Sequence, residues 1–369
     1  MKLTVTQENL HKALSIVSRI AGSKTPLPIL NNILIKTENN RLLLAATNLE
    51  IAITVFIGTK IDSKGSLTIP ARLISEFVSN LPKNNIEIEN KGLHINIKSG
   101  MYESTINGLP ADEFPNLPVI NEKNAVIFSI PTSTLKQAIS QTVVAASHDT
   151  TRPMLTGAYL HTNKSELFIA ATDGYRLAER QITGIKIKKE IDAIIPVSSL
   201  QEVVRIIPED QGEVEVLIDE NQVRFRVNDI ELTSKLIDAT FVDYRQLIPK
   251  SQDISIVINK DEFTRITKVA SLFARESAGG ITIKTNPDKK TISIHSVASQ
   301  LGENTSSANA EVTGEGSITL NSRYLLEALN SVEGENVEFG FNGKLSPSIL
   351  SNADEANSNY QHIIMPLKS

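Results

Sequence analysis

The sequence predicts an α+β protein of three repeated domains, each with two helices packed on antiparallel sheet. Two interleaved series of strand-to-helix junctions predict the repeat. Strands ending at Thr6, Pro131 and Asn259 run into amphipathic helices, at separations of 125 and 128 residues. A second set of junctions falls at Pro70, Pro196 and Asn321, 126 and 125 residues apart. This period is far longer than a solenoid unit, so each copy carries its own core. The third observation is alternation. Runs such as IEIENKGLHINIK, VEVLIDENQVRFRV and ITIKTNPDKKTISIH place apolar residues at every second position and break at Asn, Gly, Asp or Pro, as antiparallel hairpins do.

Each repeat opens with a strand and a core-facing helix. Leu10, Leu14 and Val17 form an apolar stripe at helical spacing in the first, Leu135, Ile139, Thr142 and Val143 in the second, and Phe263, Ile266, Ala270 and Phe273 in the third. Asn259 followed by Glu262 reads as a capping-box start. The second helices carry Ile74, Phe77, Val78 and Leu81; Leu200, Val203, Val204 and Ile207; and Leu325, Leu326, Leu329 and Val332. The six predicted helices span 7–21, 71–81, 132–147, 198–207, 260–275 and 322–331. Proline clusters at 109–124 and 247–253 mark linkers and divide the chain into domains 1–120, 121–250 and 251–369. The stretch GTKIDSKGS at 58–66 reads as a hairpin-type loop, and the polar QLGENTSSANAEVTGEG at 300–316 as a mobile loop or irregular edge.

Composition sets bounds on function. The 369 residues are 40% hydrophobic and 21% charged, ordinary for globular domains. No apolar run approaches the roughly 18 residues of a membrane span, and MKLTVTQENL has neither a basic nor an apolar export region. The absence of cysteine excludes disulfides and thiolate metal sites and fits a cytoplasmic location. The six histidines never pair at metal-ligand spacing, so neither metal nor cofactor is expected. No phosphate-binding loop, dinucleotide fingerprint, nucleophile elbow or zincin motif occurs. Carboxylates are scattered, and nothing argues for an enzyme.

The net charge is −5, yet its distribution is uneven. The six predicted helices hold ten basic and six acidic side chains, an excess of +4 that leaves −9 elsewhere. Lys12 and Arg265 each lie two positions beyond a core anchor, about 200° around the helix, and face outward. For any one of these residues a merely solvated surface position is the bland reading. The pattern over six helices fits a face that attracts a phosphate backbone. ATDGYRLA at 171–178 is the one concentrated polar signature; by itself it is a strand, a turn at Asp173 and Gly174, and a return strand, and ATNLEIA at 46–52 shares its skeleton.

With the repeats, the runs PLPILNNILI, IPARLISEFVSNLP, ADEFPNLP, TDGYRLA and SKLIDATFVDYRQLIP, and the tail HIIMPLKS, the whole chain resembles the bacterial DNA polymerase III beta subunit family, the sliding clamps. The resemblance implies a DNA-clamp fold and a ring-shaped homodimer, with helices lining the hole. A size estimate agrees: six helices of roughly 10 Å diameter cover about 60 Å of arc, whereas twelve give about 120 Å, a ring near 38 Å across. The function implied is a mobile tether that encircles double-stranded DNA without sequence readout and gives a polymerase processivity. Phosphate contacts position without specifying, as a sliding ring needs. By matching positions, DNA contacts fall on Lys24, Arg72 and the loop His148, Asp149, Arg152, Pro153 and Met154, with Arg152 foremost. Asp149, Pro153 and Met154 depart from residues common in relatives.

A cleft for short apolar peptides of polymerases and clamp-loader subunits is implied at Leu155, Thr172, Gly174, Tyr175, Arg176, Leu177, Val242, Leu247, Asn321, Tyr324, Leu345, Ile363, Ile364, Met365, Pro366 and Leu367. Gln246 and Tyr175 replace residues frequent in relatives, which alters the motif preferred. The dimer interface is implied at Ser104 and Ile106 of domain one and at Leu272, Phe273 and 297–305 of domain three. The alternative is a repeat-built protein-binding scaffold that does not encircle DNA.

Overall fold

The computed structural model describes residues 1–22, 27–185, 187, 189–208, 212–274, 278–354 and 358–367. All six junctions form where the sequence places them. Strands Lys2–Thr6, Val126–Pro131 and Ile254–Asn259 feed helices α1 (Gln7–Val17), α3 (Thr132–Thr142) and α5 (Lys260–Ser271). Strands Ser66–Pro70, Asp192–Pro196 and Ser317–Asn321 feed α2 (Ala71–Ser79), α4 (Val197–Ile206) and α6 (Ser322–Ser331). Side-chain caps fix several starts: Asn259 Oδ1 accepts the amides of Asp261 and Glu262, each at 3.1 Å, and Asn321 Oδ1 accepts those of Arg323 and Tyr324 at 2.9 and 3.3 Å. Each cap satisfies amides that have no partner within the first helical turn.

Several helices end earlier than the apolar stripes suggest. The first stops at Val17 rather than 21, the third at Thr142 rather than 147, and the fifth at Ser271 rather than 275. Periodicity continues past these ends because turn residues such as Ile20 and Ala145 are buried too. Thr142 marks one end chemically: its hydroxyl donates back to Ala138 O at 2.7 Å, and a short 3-10 turn, Val143–Ala145, follows.

The chain divides into two compact units, one formed by Met1–Ser133 with Glu202–Leu236 and the other by Thr134–Gln201 with Ile237–Ser369. In the first, a five-stranded sheet runs Lys60–Ser63, Lys2–Thr6, Asn85–Lys91, His94–Ser99, Tyr102–Asn107. Its eight-stranded sheet runs Val126–Pro131, Glu213–Ile218, Gln222–Val227, Ile230–Lys235, Ile51–Gly58, Arg41–Thr47, Asn32–Glu38, Ser66–Pro70. α1 and α2 pack together in this unit, with Leu10, Leu14, Val17, Ile74 and Val78 buried.

The second unit has a nine-stranded sheet in the order Asp192–Pro196, Gly157–Asn163, Glu166–Thr172, Arg176–Ile182, Tyr360–Ile364, Ser348–Asn352, Asn336–Phe341, Ile254–Asn259, Glu311–Thr313. A four-stranded sheet, Gly302–Asn309, Thr291–Ala298, Gly280–Asn286, Ser317–Asn321, completes it. α5 and α6 pack together over Phe263, Ala270, Leu325 and Leu329. All strand pairs are antiparallel among the described residues.

Two polar segments are strands: the first was expected as a hairpin-type loop, and the second, expected as a mobile loop or an irregular edge, is an edge. Lys60–Ser63 pairs with Lys2–Thr6. Gly302–Asn309 pairs along its whole length with Thr291–Ala298 and forms an outer edge. Its partly covered side chains, Asn304, Ser306 and Ala308, are small or polar, so the strand carries no hydrophobic alternation to read.

One connection occurs twice. In each unit the strand after the ATNLEIA or ATDGYRLA turn pairs with the last hairpin strand of the following repeat: Ile51–Gly58 with Ile230–Lys235, and Arg176–Ile182 with Tyr360–Ile364. The corresponding third pair of strands, Gly302–Asn309 and Tyr102–Asn107, ends two different sheets, and each strand has one open edge.

Candidate functional site

The second unit brings most of the predicted cleft residues to one place through the turn after Thr172. Thr172 Oγ1 donates to Arg176 O at 2.6 Å and accepts the Gly174 amide at 3.0 Å. Asp173 Oδ1 accepts the amides of Tyr175 at 2.9 Å and Arg176 at 3.0 Å, an Asx-type arrangement. Gly174 holds φ at +91°, where a Cβ would be strained. The turn projects Tyr175 outward, 66% exposed, and draws Arg176 inward, 5% exposed.

Burial of Arg176 requires partners, and the fold supplies them. Its Nε donates to Asp173 Oδ2 at 3.0 Å, its Nη1 donates to Glu327 Oε2 on α6, and its guanidinium lies 4.5 Å from the centre of the Tyr324 ring. Glu327 also accepts from Arg323 Nε at 2.8 Å. Burial pushes the Glu327 carboxyl upward, but hydrogen bonds and charge from Arg323 and Arg176 outweigh it and hold the group below its ordinary value. Burial, then the charge of Asp173, raises the Tyr324 phenol. Asn321 anchors the same helix start and donates to Ala278 O at 3.1 Å.

The C-terminal segment completes the site. Leu177 pairs with Ile363 and Arg176 with Ile364. Beyond that strand, the Met365 amide donates to Tyr175 O and the Leu367 amide to Thr319 O, both at 2.8 Å. Met365, Pro366 and Leu367 are half-buried. Beneath lies a cluster of Ala170, Leu177, Ile194, Phe241, Tyr244 and Ile363, against which Met154 also packs. Leu155 is buried, whereas Tyr175, Val242, Leu247 and Leu345 present exposed apolar surface. Gln246 is tied by its amide to Asp243.

Sequence reasoning missed the polar network beside this floor. Glu179 accepts from Tyr244 Oη, from Arg245 Nη2 at 3.3 Å and from Gln361 Nε2 at 2.7 Å, and His161 Nε2 lies 2.8 Å from Tyr244 Oη. Burial, then the charge of Arg245, lowers the His161 pKa. Glu327 was missed as a site residue too; its position three residues after Tyr324 on one helix was the available signal.

The described predicted DNA-contact residues are divided between the two units, Arg72 in the first and His148 to Met154 in the second. Lys24 lies outside the described residues. Arg72 is exposed but paired with Glu76 at 2.8 Å, which raises its pKa through the hydrogen bond and then the charge. His148, Asp149, Arg152 and Pro153 are exposed on one loop, where Asp149 accepts the Thr151 amide and hydroxyl at 2.9 and 2.7 Å. Those bonds, backbone first, lower the Asp149 carboxyl. Met154 turns inward to the cleft floor. With the observed helix ends, Arg19 falls outside the helices and Arg275 lies outside the described residues, so the six described helices hold eight basic against six acidic side chains, an excess of +2.

Of the predicted interface residues, Ser104 is half-buried on the edge strand and Ile106 is buried within its own unit. Leu272 is exposed and Phe273 half-buried after α5. Among the described residues, no group of histidine and acidic side chains could hold a metal ion, and no helix is long and apolar enough to cross a membrane.

Three family models match in succession: the N-terminal domain of the DNA polymerase III beta subunit at residues 1–118, its central domain at 129–243, and its C-terminal domain at 245–368. The beta sliding clamp of Bacillus subtilis is 32% identical over 381 residues, covering 100% of both chains. The crystal structure of the B. subtilis DNA polymerase sliding clamp superposes with a TM-score of 0.93, covering 100% of this chain and 99% of that one. A Pseudomonas aeruginosa sliding clamp bound to griselimycin, 26% identical, gives 0.94 with 100% of both chains covered. Domain order, full-length identity and fold agree, and the chain belongs to the bacterial DNA polymerase III beta subunit family, the sliding clamps.

Proposed function

We propose that two copies of this chain close head to tail into a ring around duplex DNA and tether a polymerase to its template, without catalysis and in the cytoplasm. The domains 1–120, 121–250 and 251–369 are the repeating parts of that ring, a division that the three consecutive family matches support. Twelve helices line the hole, and nonspecific phosphate contacts come from Lys24, Arg72, His148 and Arg152. Partners are double-stranded DNA and the polymerase and clamp-loader subunits, which attach by short apolar peptides in the cleft of the second unit.

The peptide reading rests on one observation: Tyr175, Val242, Leu247 and Leu345 expose apolar surface in the unit where buried Arg176 ties its turn together through Asp173 and Glu327. Preorganised apolar surface of this kind suits a site that binds extended peptides. The related P. aeruginosa clamp takes griselimycin, which supports a ligand-accepting surface in the family. Deleting Met365 to Ser369 tests the assignment. It should weaken binding of a labelled apolar peptide at least tenfold and leave the dimer intact; unchanged affinity would refute the cleft.

The head-to-tail contact rests on the two open edges. Val297 stands opposite Glu303 at the place of Thr47 opposite Ala52 and Thr172 opposite Leu177. Continuing the pattern of Ala52 with Thr233 and Leu177 with Ile363 sets Thr105 of one copy opposite Glu303 of the other. Such an interface is heterologous and closes after two subunits when each is turned by half a revolution. Retention on circular DNA that ends on linearisation separates this ring from a scaffold that never encircles DNA.

A further inference from the structure

The first unit contains a second copy of the cleft's architecture. Thr47 Oγ1 donates to Ile51 O at 2.9 Å and accepts the Leu49 amide at 3.1 Å, as Thr172 does with Arg176 and Gly174. Asn48 Oδ1 accepts the amides of Glu50 and Ile51 at 3.0 and 2.8 Å, as Asp173 does with Tyr175 and Arg176. The Lys235 amide donates to Glu50 O at 3.0 Å where the Met365 amide donates to Tyr175 O at 2.8 Å. Below the turn, Leu34, Leu43, Ala45 and Phe114 are buried, with Ile29 packed on them, in the positions of Tyr159, Phe168, Ala170, Phe241 and Met154. Pro115 follows Phe114 as Val242 follows Phe241.

A cavity of about 300 Å³ opens beside this turn, large enough for one or two side chains of a ligand. Leu49, Pro115 and Pro118 form its apolar wall, and Gln222, Thr233 and Lys235 supply polar groups on the facing strands. Leu49 is the residue that packing and conformational preference do not account for. It holds φ at +76°, in the left-handed region disfavoured for a side chain, and is nonetheless 45% exposed. The equivalent position in the other turn is Gly174. A strained, exposed apolar residue at the rim of a cavity marks a functional position more than a structural one.

We propose that this cavity is a second docking site for a short extended peptide, with a branched apolar side chain of the peptide against Leu49, Pro115 and Pro118. The class of occupant rests on the peptide reading of the second unit's cleft. The sites differ in one way that sets their selectivity: Ile51 stands in the place of Arg176, so no ionic cluster stiffens this turn. The second site is accordingly the weaker of the two.

The test uses the full-length protein and an acetylated, amidated apolar hexapeptide, Ala-Leu-Ala-Leu-Phe-Ala, with photo-leucine at its second position. After irradiation, mass spectrometry should find labelled fragments from both the cleft and the region around Leu49 and Pro115. Leu49→Gly adopts the backbone of the other turn without strain, so it should leave the melting temperature unchanged or raised. It should also reduce labelling near Pro115 at least fivefold while cleft labelling persists. Labelling of the cleft alone overturns the second site and leaves the cleft standing. Labelling near Leu49 alone, lost in Leu49→Gly, supports the second site and refutes the cleft. Labelling of neither, or labelling near Pro115 unaffected by Leu49→Gly, overturns the proposal.

Discussion

Replacing Arg176 with Ile imitates the first unit's turn and isolates what the buried cation contributes. Arg176→Ile leaves Asp173 and Glu327 without their shared partner, and their side chains are only 13% and 27% exposed. Breaking a buried pair costs about 3–5 kcal/mol because the remaining charge is uncompensated. Glu327 keeps Arg323 at 2.8 Å and some solvent, which puts the expected cost at the lower end, about 3 kcal/mol. The local reporter is hydrogen exchange at the Met365 amide, bonded to Tyr175 O across the turn. A loss of about 3 kcal/mol lowers its protection roughly 150-fold. The triple variant Arg176→Ile, Asp173→Asn, Glu327→Gln removes the orphaned charges along with the cation and should recover most of that protection, as neutral replacements of buried ion pairs do. If the single variant loses less than fivefold, or the triple variant is as exposed as the single, the ionic cluster does not hold the turn.

Other tests address the ring, the DNA face and pH. The chain has no cysteine, so Thr105→Cys with Glu303→Cys should give a covalent dimer under mild oxidation; absence of the disulfide at concentrations where the protein is dimeric would refute the register. Glu76→Gln frees Arg72 from its ion pair and should steepen the slope of log affinity for DNA against log salt by about 1; an unchanged slope would remove Arg72 from the DNA contacts. His362 is fully buried, and desolvation, followed by the charge of Arg176, lowers its pKa to about 3. Between that value and the ordinary 6.5 the unfolded chain binds a proton that the folded chain does not, so stability falls as pH drops below about 6.5, by up to about 1.4 kcal/mol per unit. Urea midpoints from pH 7 to 4 should show this slope flattened in His362→Gln; identical slopes would refute it.

Much of the fold was legible because the long-range information is repeated in the chain. Each strand ending at Thr6, Pro131 and Asn259 announces a helix by a change of hydrophobic period, and repetition separates that signal from chance. Where burial is achieved by small polar residues, the signal vanishes. Gly302–Asn309 is a strand because its backbone pairs with Thr291–Ala298, and side chains such as Asn304 and Ser306 carry no trace of that pairing. Helix ends were overestimated because an apolar residue just beyond a helix is buried for the same reason as one inside it. The joining of the TDGYRLA turn to the C-terminal tail was legible in outline. Its energetics were not, since Arg176 meets Glu327 across 151 residues of sequence.

The two turns separate what builds the backbone from what gives a site its rigidity. Threonine followed by an Asx residue and a left-handed position specifies the hydrogen bonds in both, and the next repeat's last strand closes both. Those bonds form whether the fifth residue is Ile51 or Arg176, so they do not distinguish the two turns. The difference arises one layer out. A buried guanidinium must find carboxylates, and Asp173 is within reach only because the turn places it there, while Glu327 arrives with α6 of the following repeat. Arg176 therefore couples the turn to the neighbouring helix, and an isoleucine cannot. An apolar ligand that covers Tyr175 and Leu345 would further desolvate this cluster and strengthen its ion pairs, since the same charges attract more strongly as water is excluded. Ligand affinity at the cleft should therefore track the integrity of the Arg176 cluster, whereas affinity at the cavity beside Leu49 should be indifferent to it.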